Sequence, residues 1–186
     1  MIRAFDVACA QHWLILPDAL ERILAICERD FSHEALAQLQ GKPLDNTRTV
    51  EKRANGIAVV PIAGPIMRYS NIFTEISGAT STQVLATDIR TALDDPTVTG
   101  IVLNIDSPGG DARGINEMSD VIHSARGTKP IVAYAGGTMA STAYWIGSAA
   151  DTVVADDTAL LGSIGSSRLS RIRANAMPSQ DAAPIR

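Results

Sequence analysis

The chain has 186 residues, 46% of them apolar and only 4% aromatic, with a formal net charge of −4. That length suits one domain with a real core, and the apolar share fits an α/β protein rich in Ala, Val and Ile. The acidic balance gives no basis for nucleic-acid binding, no apolar run approaches the ~20 residues of a membrane span, and residues 1–6 lack the long apolar core of a secretory signal.

Cys9 and Cys27 sit in the N-terminal segment and read as thiols of a reducing compartment rather than as a disulfide. The run Trp13-Leu14-Ile15-Leu16 stops at Pro17. Residues 17–31 are predicted to form an amphipathic helix, with Pro17 in its first turn and Leu20, Ile23, Leu24, Cys27 and Phe31 on one stripe. This helix is expected to pack on its own domain or on a neighbouring subunit, with partner docking as the alternative. Residues 41–55 are charged and polar, so they read as a solvated linker between an N-terminal helical segment (1–40) and the domain proper. The first strand spans residues 56–62, with Pro61 placing it near a sheet edge or a bulge. Met67, Tyr69, Ile72, Phe73 and Ile76 follow without a clean period, in a segment that either faces substrate or packs as a surface loop. Residues 82–93 are predicted to be a helix ended by Asp94-Asp95-Pro96.

The centre of the chain holds two glycine-marked turns. Ile101-Val102-Leu103 is a buried strand leading into Ser107-Pro108-Gly109-Gly110, and residues 130–135 are a second strand leading into Gly136-Gly137-Thr138-Met139-Ala140-Ser141. Between them Ile115, Met118, Val121, Ile122 and Ala125 recur at helical spacing. A strand–helix–strand unit of this kind makes the strands parallel with a right-handed crossover, and both turns emerge at the strands' carboxyl ends. One turn offers backbone amides; the other presents Ser141 just before the apolar run Thr142-Ala143-Tyr144-Trp145-Ile146. These are the parts that acyl transfer needs. Two short strands, residues 152–155 and 159–161, complete a β-α alternation.

Ser107-Pro108-Gly109-Gly110, Met139-Ala140-Ser141, Ala149-Ala150-Asp151 and Leu161-Gly162-Ser163-Ile164-Gly165, in this order and spacing, resemble the S49 signal-peptide-peptidase family, and within it the phage prohead proteases. The resemblance covers residues 56–165. It implies a ClpP/crotonase-like α/β fold with a mostly parallel sheet flanked by helices, and a serine endopeptidase that cleaves scaffold or capsid precursors in the host cytoplasm. It also implies a homo-oligomer, protein or peptide substrates, no cofactor, and no nucleic-acid or membrane partner. Ser141 is the nucleophile implied by the match, Gly110 and Thr142 supply the oxyanion amides, and Gly109 and Gly137 line the substrate site. A helix N-cap is the structural alternative for Ser141.

A serine needs a base. His12 and His33 precede the domain and His123 lies in the crossover helix, so a Ser-His-Asp triad is disfavoured. The family uses a Ser-Lys dyad, and the only lysines are Lys42, Lys52 and Lys129. Lys129 precedes the strand leading to Ser141, which puts it about 20 Å away at the wrong end of the sheet. Asp106 and Asp151 read as structural, and there is neither a metal-ligand cluster nor the lysine of a phosphate-binding loop near Gly162. In the family a valine-rich strand follows Gly165. Here residues 166–186 carry four arginines, one aspartate and no glycine, and read as a disordered, truncated or out-of-frame tail. Two rivals follow: a truncated homologue without a base, and a crotonase-like acyl-CoA enzyme using the same two-amide pocket.

Overall fold

The computed structural model describes residues 8–28, 50–52, 55–69, 79–163 and 167–168. Its elements run β1 (His12–Ile15), α1 (Pro17–Glu28), β2 (Glu51–Lys52), β3 (Ile57–Ala63), β4 (Ile66–Met67), β5 (Thr80–Ser81), α2 (Thr82–Asp94), β6 (Gly100–Ser107), β7 (Gly109–Asp111), α3 (Ile115–Ala125), β8 (Ile131–Ala140), α4 (Thr142–Ser148), β9 (Thr152–Ala155), β10 (Leu160–Gly162) and β11 (Ser167–Arg168).

The β-branched runs pair as expected. β3, β6 and β8 are parallel neighbours in a six-stranded sheet ordered β10-β8-β6-β3-β2, with β9 also pairing β8. Only β2 runs antiparallel in it. Val60, Ile62, Leu103, Ile105, Ile131 and Ala133 are fully buried on one face of the sheet, while Val59, Val102 and Val132 between them are half-buried. The predicted stripes do the covering: α2 buries Leu85, Ile89 and Ala92, and α3 buries Ile115, Met118, Ile122 and Ala125. The result is a mixed α/β fold with a mostly parallel sheet flanked by helices.

A second sheet, ordered β11-β1-β7-β4-β5, stands at the carboxyl end of β6. It rests on its own apolar cluster, Trp13, Ile15, Leu20, Ile23, Met67 and Ala79 among them, distinct from the main core. Gly109 and Gly110, read from the sequence as a turn, form with Asp111 a strand within this sheet, and Trp13-Leu14-Ile15 pairs with it. Strand β8 likewise continues through Gly136-Gly137 to Ala140, with a register shift against β6 between Ile105 and Ser107. Glu51–Lys52, read as linker, adds β2 to the edge of β3, in register with Val59 and Ala58. On the other side of β3, Pro61 is in register with Asn104 of β6.

All four residues of β9 are exposed, as are Leu160 and Leu161. Phe31, Ile72, Phe73 and Ile76 lie outside the described residues, as does the tail apart from β11. Cys9 and Cys27 are half-buried and unbridged. Burial and the neighbouring Cys9 raise the Cys27 thiol above its ordinary value.

Candidate active site

Ser141 stands at the junction of β8 and α4, at φ +56° and ψ −113°. A non-glycine residue in that region carries a backbone cost of about 1–3 kcal/mol, which the surroundings must enforce. They do so from both sides: Ser141 N donates to Gly162 O at 2.8 Å, and Trp145 N donates to Ser141 O at 3.0 Å. The serine makes no side-chain cap bond to α4. It is 6% exposed, and its Oγ has no hydrogen-bond partner among the described residues. A buried hydroxyl left unpaired on a strained strand-to-helix turn is a poor structural device and a suitable nucleophile. Thr142, fully buried, begins α4, so its amide has no acceptor within the helix.

The glycine turn is built against this residue. Ser107 Oγ donates to Gly64 O at 2.7 Å and accepts from Gly109 N at 3.2 Å, pinning the turn to the loop after β3. Gly109 adopts φ +101°, and a Cβ there would lie 3.0 Å from both Ser141 Cβ and Ile15 Cα and against Leu14 O. Gly110 passes so close to the Ile66 backbone that no side chain fits. Its antiparallel partner is Leu14. Leu16 N→Pro108 O and Ala112 N→His12 O, each 2.9 Å, bracket that pair. Because hydrogen-bonded pairs alternate along an antiparallel ladder, Leu14 and Gly110 form the bonded pair between them, and the Gly110 amide faces the Leu14 carbonyl.

Ser141, Thr142, Gly109 and Gly110 thus converge. Gly137 lies on β8 four residues before Ser141, where its missing side chain admits the Asp106 carboxylate. Asp106 Oδ1 accepts from Thr138 N at 2.9 Å, which holds the irregular end of β8 against β6. Asp151 Oδ2 accepts from Ile131 N at 2.8 Å and ties the end of α4 to the start of β8.

Two further residues, Arg126 and Asp111, read in the sequence only as polar residues for the wet face of the crossover helix; the structure gives Arg126 main-chain acceptors and buries Asp111. The Arg126 guanidinium donates to Ala149 O (2.8 Å), Ser148 O (3.2 Å) and Ala150 O (2.7 Å), gathering the C-terminal carbonyls of α4. Asp111, its side chain 1% exposed, holds Arg113 at 2.7 Å, and that pairing raises the Arg113 guanidinium above its ordinary value. A basic residue placed to reach helix-end carbonyls was the available signal for Arg126.

Neither lysine among the described residues serves Ser141. Lys52 Nζ is 2.7 Å from Asp95 Oδ2. Lys129 Nζ donates to Ala92 O at 2.9 Å and Asp95 O at 2.6 Å, at the end of α2. Lys42 and His33 lie outside the described residues. Among the described residues no group of three or more His, Cys, Asp and Glu could hold a metal ion.

The model of peptidase family S49 matches residues 123–171, a stretch that contains Ser141, Thr142 and α4. The chain is related to peptidase family S49. It is 34% identical over 116 residues to the head-tail preconnector protein GP5 of Enterobacteria phage P21, covering 62% of this chain and 23% of that protein. It is 35% identical over 111 residues to the capsid assembly protease C of Escherichia phage lambda, covering 60% and 25% respectively. The chain therefore spans about a quarter of the length of these curated relatives. Among solved structures, an enoyl-CoA hydratase/isomerase family member aligns at 21% identity and a TM-score of 0.43, over 57% of this chain and 46% of that one. The S49 match begins in α3, after the Gly109-Gly110 strand, and that strand joins the matched segment through the Gly109–Ser141 approach. No helix among the described residues is long and apolar enough to cross a membrane.

Proposed function

We propose that the chain is a serine endopeptidase of the S49 type, with Ser141 as its nucleophile and the Gly110 and Thr142 amides as its oxyanion donors. The observation that carries this reading is the state of Ser141: strained at φ +56°, buried, unpaired at Oγ, and set against the glycine turn. Ser141 Oγ attacks the scissile carbonyl carbon as its proton passes to a base, and the two amides hold the oxygen that becomes negative, the substrate oxygen taking the place of the Leu14 carbonyl at Gly110. Breakage of the C–N bond delivers the proton to the departing amine and leaves an ester on Ser141, which water then hydrolyses. By resemblance the base is a lysine. Lys52 and Lys129 are committed to α2 and its end, so the base comes from outside the described residues.

The phage relatives named for head-tail connection and capsid assembly support scaffold or capsid precursors as substrates. On the same reading the active form is a homo-oligomer working in the host cytoplasm. Residues 56–165 form the peptidase domain on this reading, with 1–40 as an N-terminal segment. Incubating the chain with scaffold protein and reading the products by mass spectrometry tests it. Discrete cleavage by the wild type, absent in Ser141→Ala, is expected.

A second reading is a homologue that keeps the fold without catalysis. The engagement of both described lysines away from Ser141 favours it. In that case wild type and Ser141→Ala are equally inert.

A further inference from the structure

Ser141 is a candidate nucleophile that is only 6% exposed, and β1 lies beside it. Ile15 Cα lies 3.0 Å from the point a Gly109 Cβ would occupy, as does Ser141 Cβ, and the Leu14 carbonyl oxygen is against the same point. That carbonyl faces the Gly110 amide, through the register already described. The Leu14–Ile15 peptide therefore lies on the same side of Gly109 as Ser141, with its oxygen at the amide read above as an oxyanion donor. Strand β1 also has main-chain partners on both sides, Trp13–Ile15 on β7 and His12–Trp13 on β11. It fills a slot between two strands rather than decorating an edge.

We propose that this slot is the peptide-binding channel of the chain and that β1 is its resident, substrate-like occupant, which an incoming peptide must displace. The proposal rests on the reading of Ser141 as nucleophile. The fold allows the exchange. β1 is registered with β7 over three pairs, flanked by the Leu16–Pro108 and Ala112–His12 bonds, and its anchors Trp13 and Ile15 belong to the N-terminal cluster rather than to the main core. It can open as a local unit while the parallel sheet stays intact. The occupant's chemistry defines the ligand: an extended peptide, apolar at the positions of Trp13, Leu14 and Ile15, with a free N–H at the positions of Leu14 and Leu16. Leu16 N donates to Pro108 O, and an antiparallel bonded pair uses the Leu14 N–H toward Gly110.

The test uses Trp13 as its own reporter. Trp145 is exposed, so Trp145→Phe leaves the buried Trp13 as the single tryptophan. This chain is titrated with a tryptophan-free peptide, Gln-His-Phe-Leu-Ile-Leu-amide. The same peptide carrying N-methyl-leucine in place of its first leucine, the Leu14 equivalent, serves as control. In parallel, Ile15→Asp puts a charge into the apolar cluster to expel β1, and a fluorescein-labelled peptide is followed by anisotropy. Expected are a saturable red shift of Trp13 emission, no response to the N-methyl peptide, and binding at least ~10-fold tighter to Ile15→Asp, because the tethered strand competes at millimolar effective concentration. Binding to Ile15→Asp alone, with none to the wild type, supports the proposal equally. Binding no tighter to folded Ile15→Asp, or binding that leaves Trp13 emission unmoved, overturns it. If Ile15→Asp fails to fold, hydrogen exchange on the unaltered chain decides. The amides of Leu14 and Gly110 exchange together and faster than that of Leu103 in β6, whereas equal protection overturns the proposal. None of these readouts needs a base, so a chain that binds peptide yet does not react at Ser141 would refute the catalytic reading and leave the channel standing.

Discussion

Gly109 and Ser141 touch through an absent side chain: a methyl group on Gly109 would lie 3.0 Å from Ser141 Cβ, and against the main chain of Leu14 as well. The glycine also adopts φ +101°, where an L side chain is strained. Gly109→Ala is therefore expected to push β1 and Ser141 apart and to destabilise the fold by about 2 kcal/mol or more. Urea unfolding measures the loss. A change within about 0.5 kcal/mol of wild type would mean that the two elements are not in close contact.

Gly137 and Asp106 form a second tight approach, with a Gly137 Cβ falling 2.6 Å from Asp106 Oδ1. Gly137→Ala should cost about 1–3 kcal/mol by pushing the carboxylate off the Thr138 amide. In an Asp106→Ala background the same change should cost much less, since the obstructing group is gone. A double-mutant cycle by urea unfolding reads this coupling; additive costs would contradict it.

Arg126 closes the end of α4 with three bonds to main-chain carbonyls. Arg126→Ala is expected to lower stability by about 1–2 kcal/mol. Arg126→Lys should recover only part of that, because an ammonium cannot span three carbonyls as a planar fork does. Equal stability of the lysine variant and the wild type would show that charge alone suffices.

The Lys52 amine and the Thr97 hydroxyl and amide hold the Asp95 carboxyl well below the usual carboxylate range. A depressed folded-state pKa contributes stability that is present above the unfolded value, about 3.9, and is lost as pH falls through the folded one. The gap in melting temperature between wild type and Asp95→Asn should therefore be largest near neutral pH and shrink below about pH 4. A gap that widens on acidification would reverse the sign.

The parallel sheet was readable because its strands are short β-branched runs with alternate residues buried and its helices show one apolar stripe each: Leu103 and Ile131 in the strands, Met118 and Ile122 in α3. The approach of the glycine turn to Ser141 was readable because both turns leave the carboxyl ends of parallel strands. The second sheet was not. Trp13-Leu14-Ile15 is too short to show a period, and its partner Gly109–Asp111 is far along the chain and carries two glycines, which leave no apolar pattern. Gly136-Gly137 reads as a turn by composition, yet it is held extended by Asp106 on the adjoining strand. Glu51–Lys52 carries charge because it covers a sheet edge, which is why it reads as linker. Arg126 reads in the sequence only as a polar residue for the wet face of α3, because its acceptors, Ser148 to Ala150, come near only after β8 and α4 have folded back.

The most direct test of the account is reaction of the folded chain with a fluorophosphonate probe, read by intact mass beside Ser141→Ala. The account predicts a single adduct on the wild type, faster in Ile15→Asp, and none on Ser141→Ala. No adduct on either folded wild type or folded Ile15→Asp would contradict Ser141 as an activated nucleophile, and the non-catalytic reading would replace it.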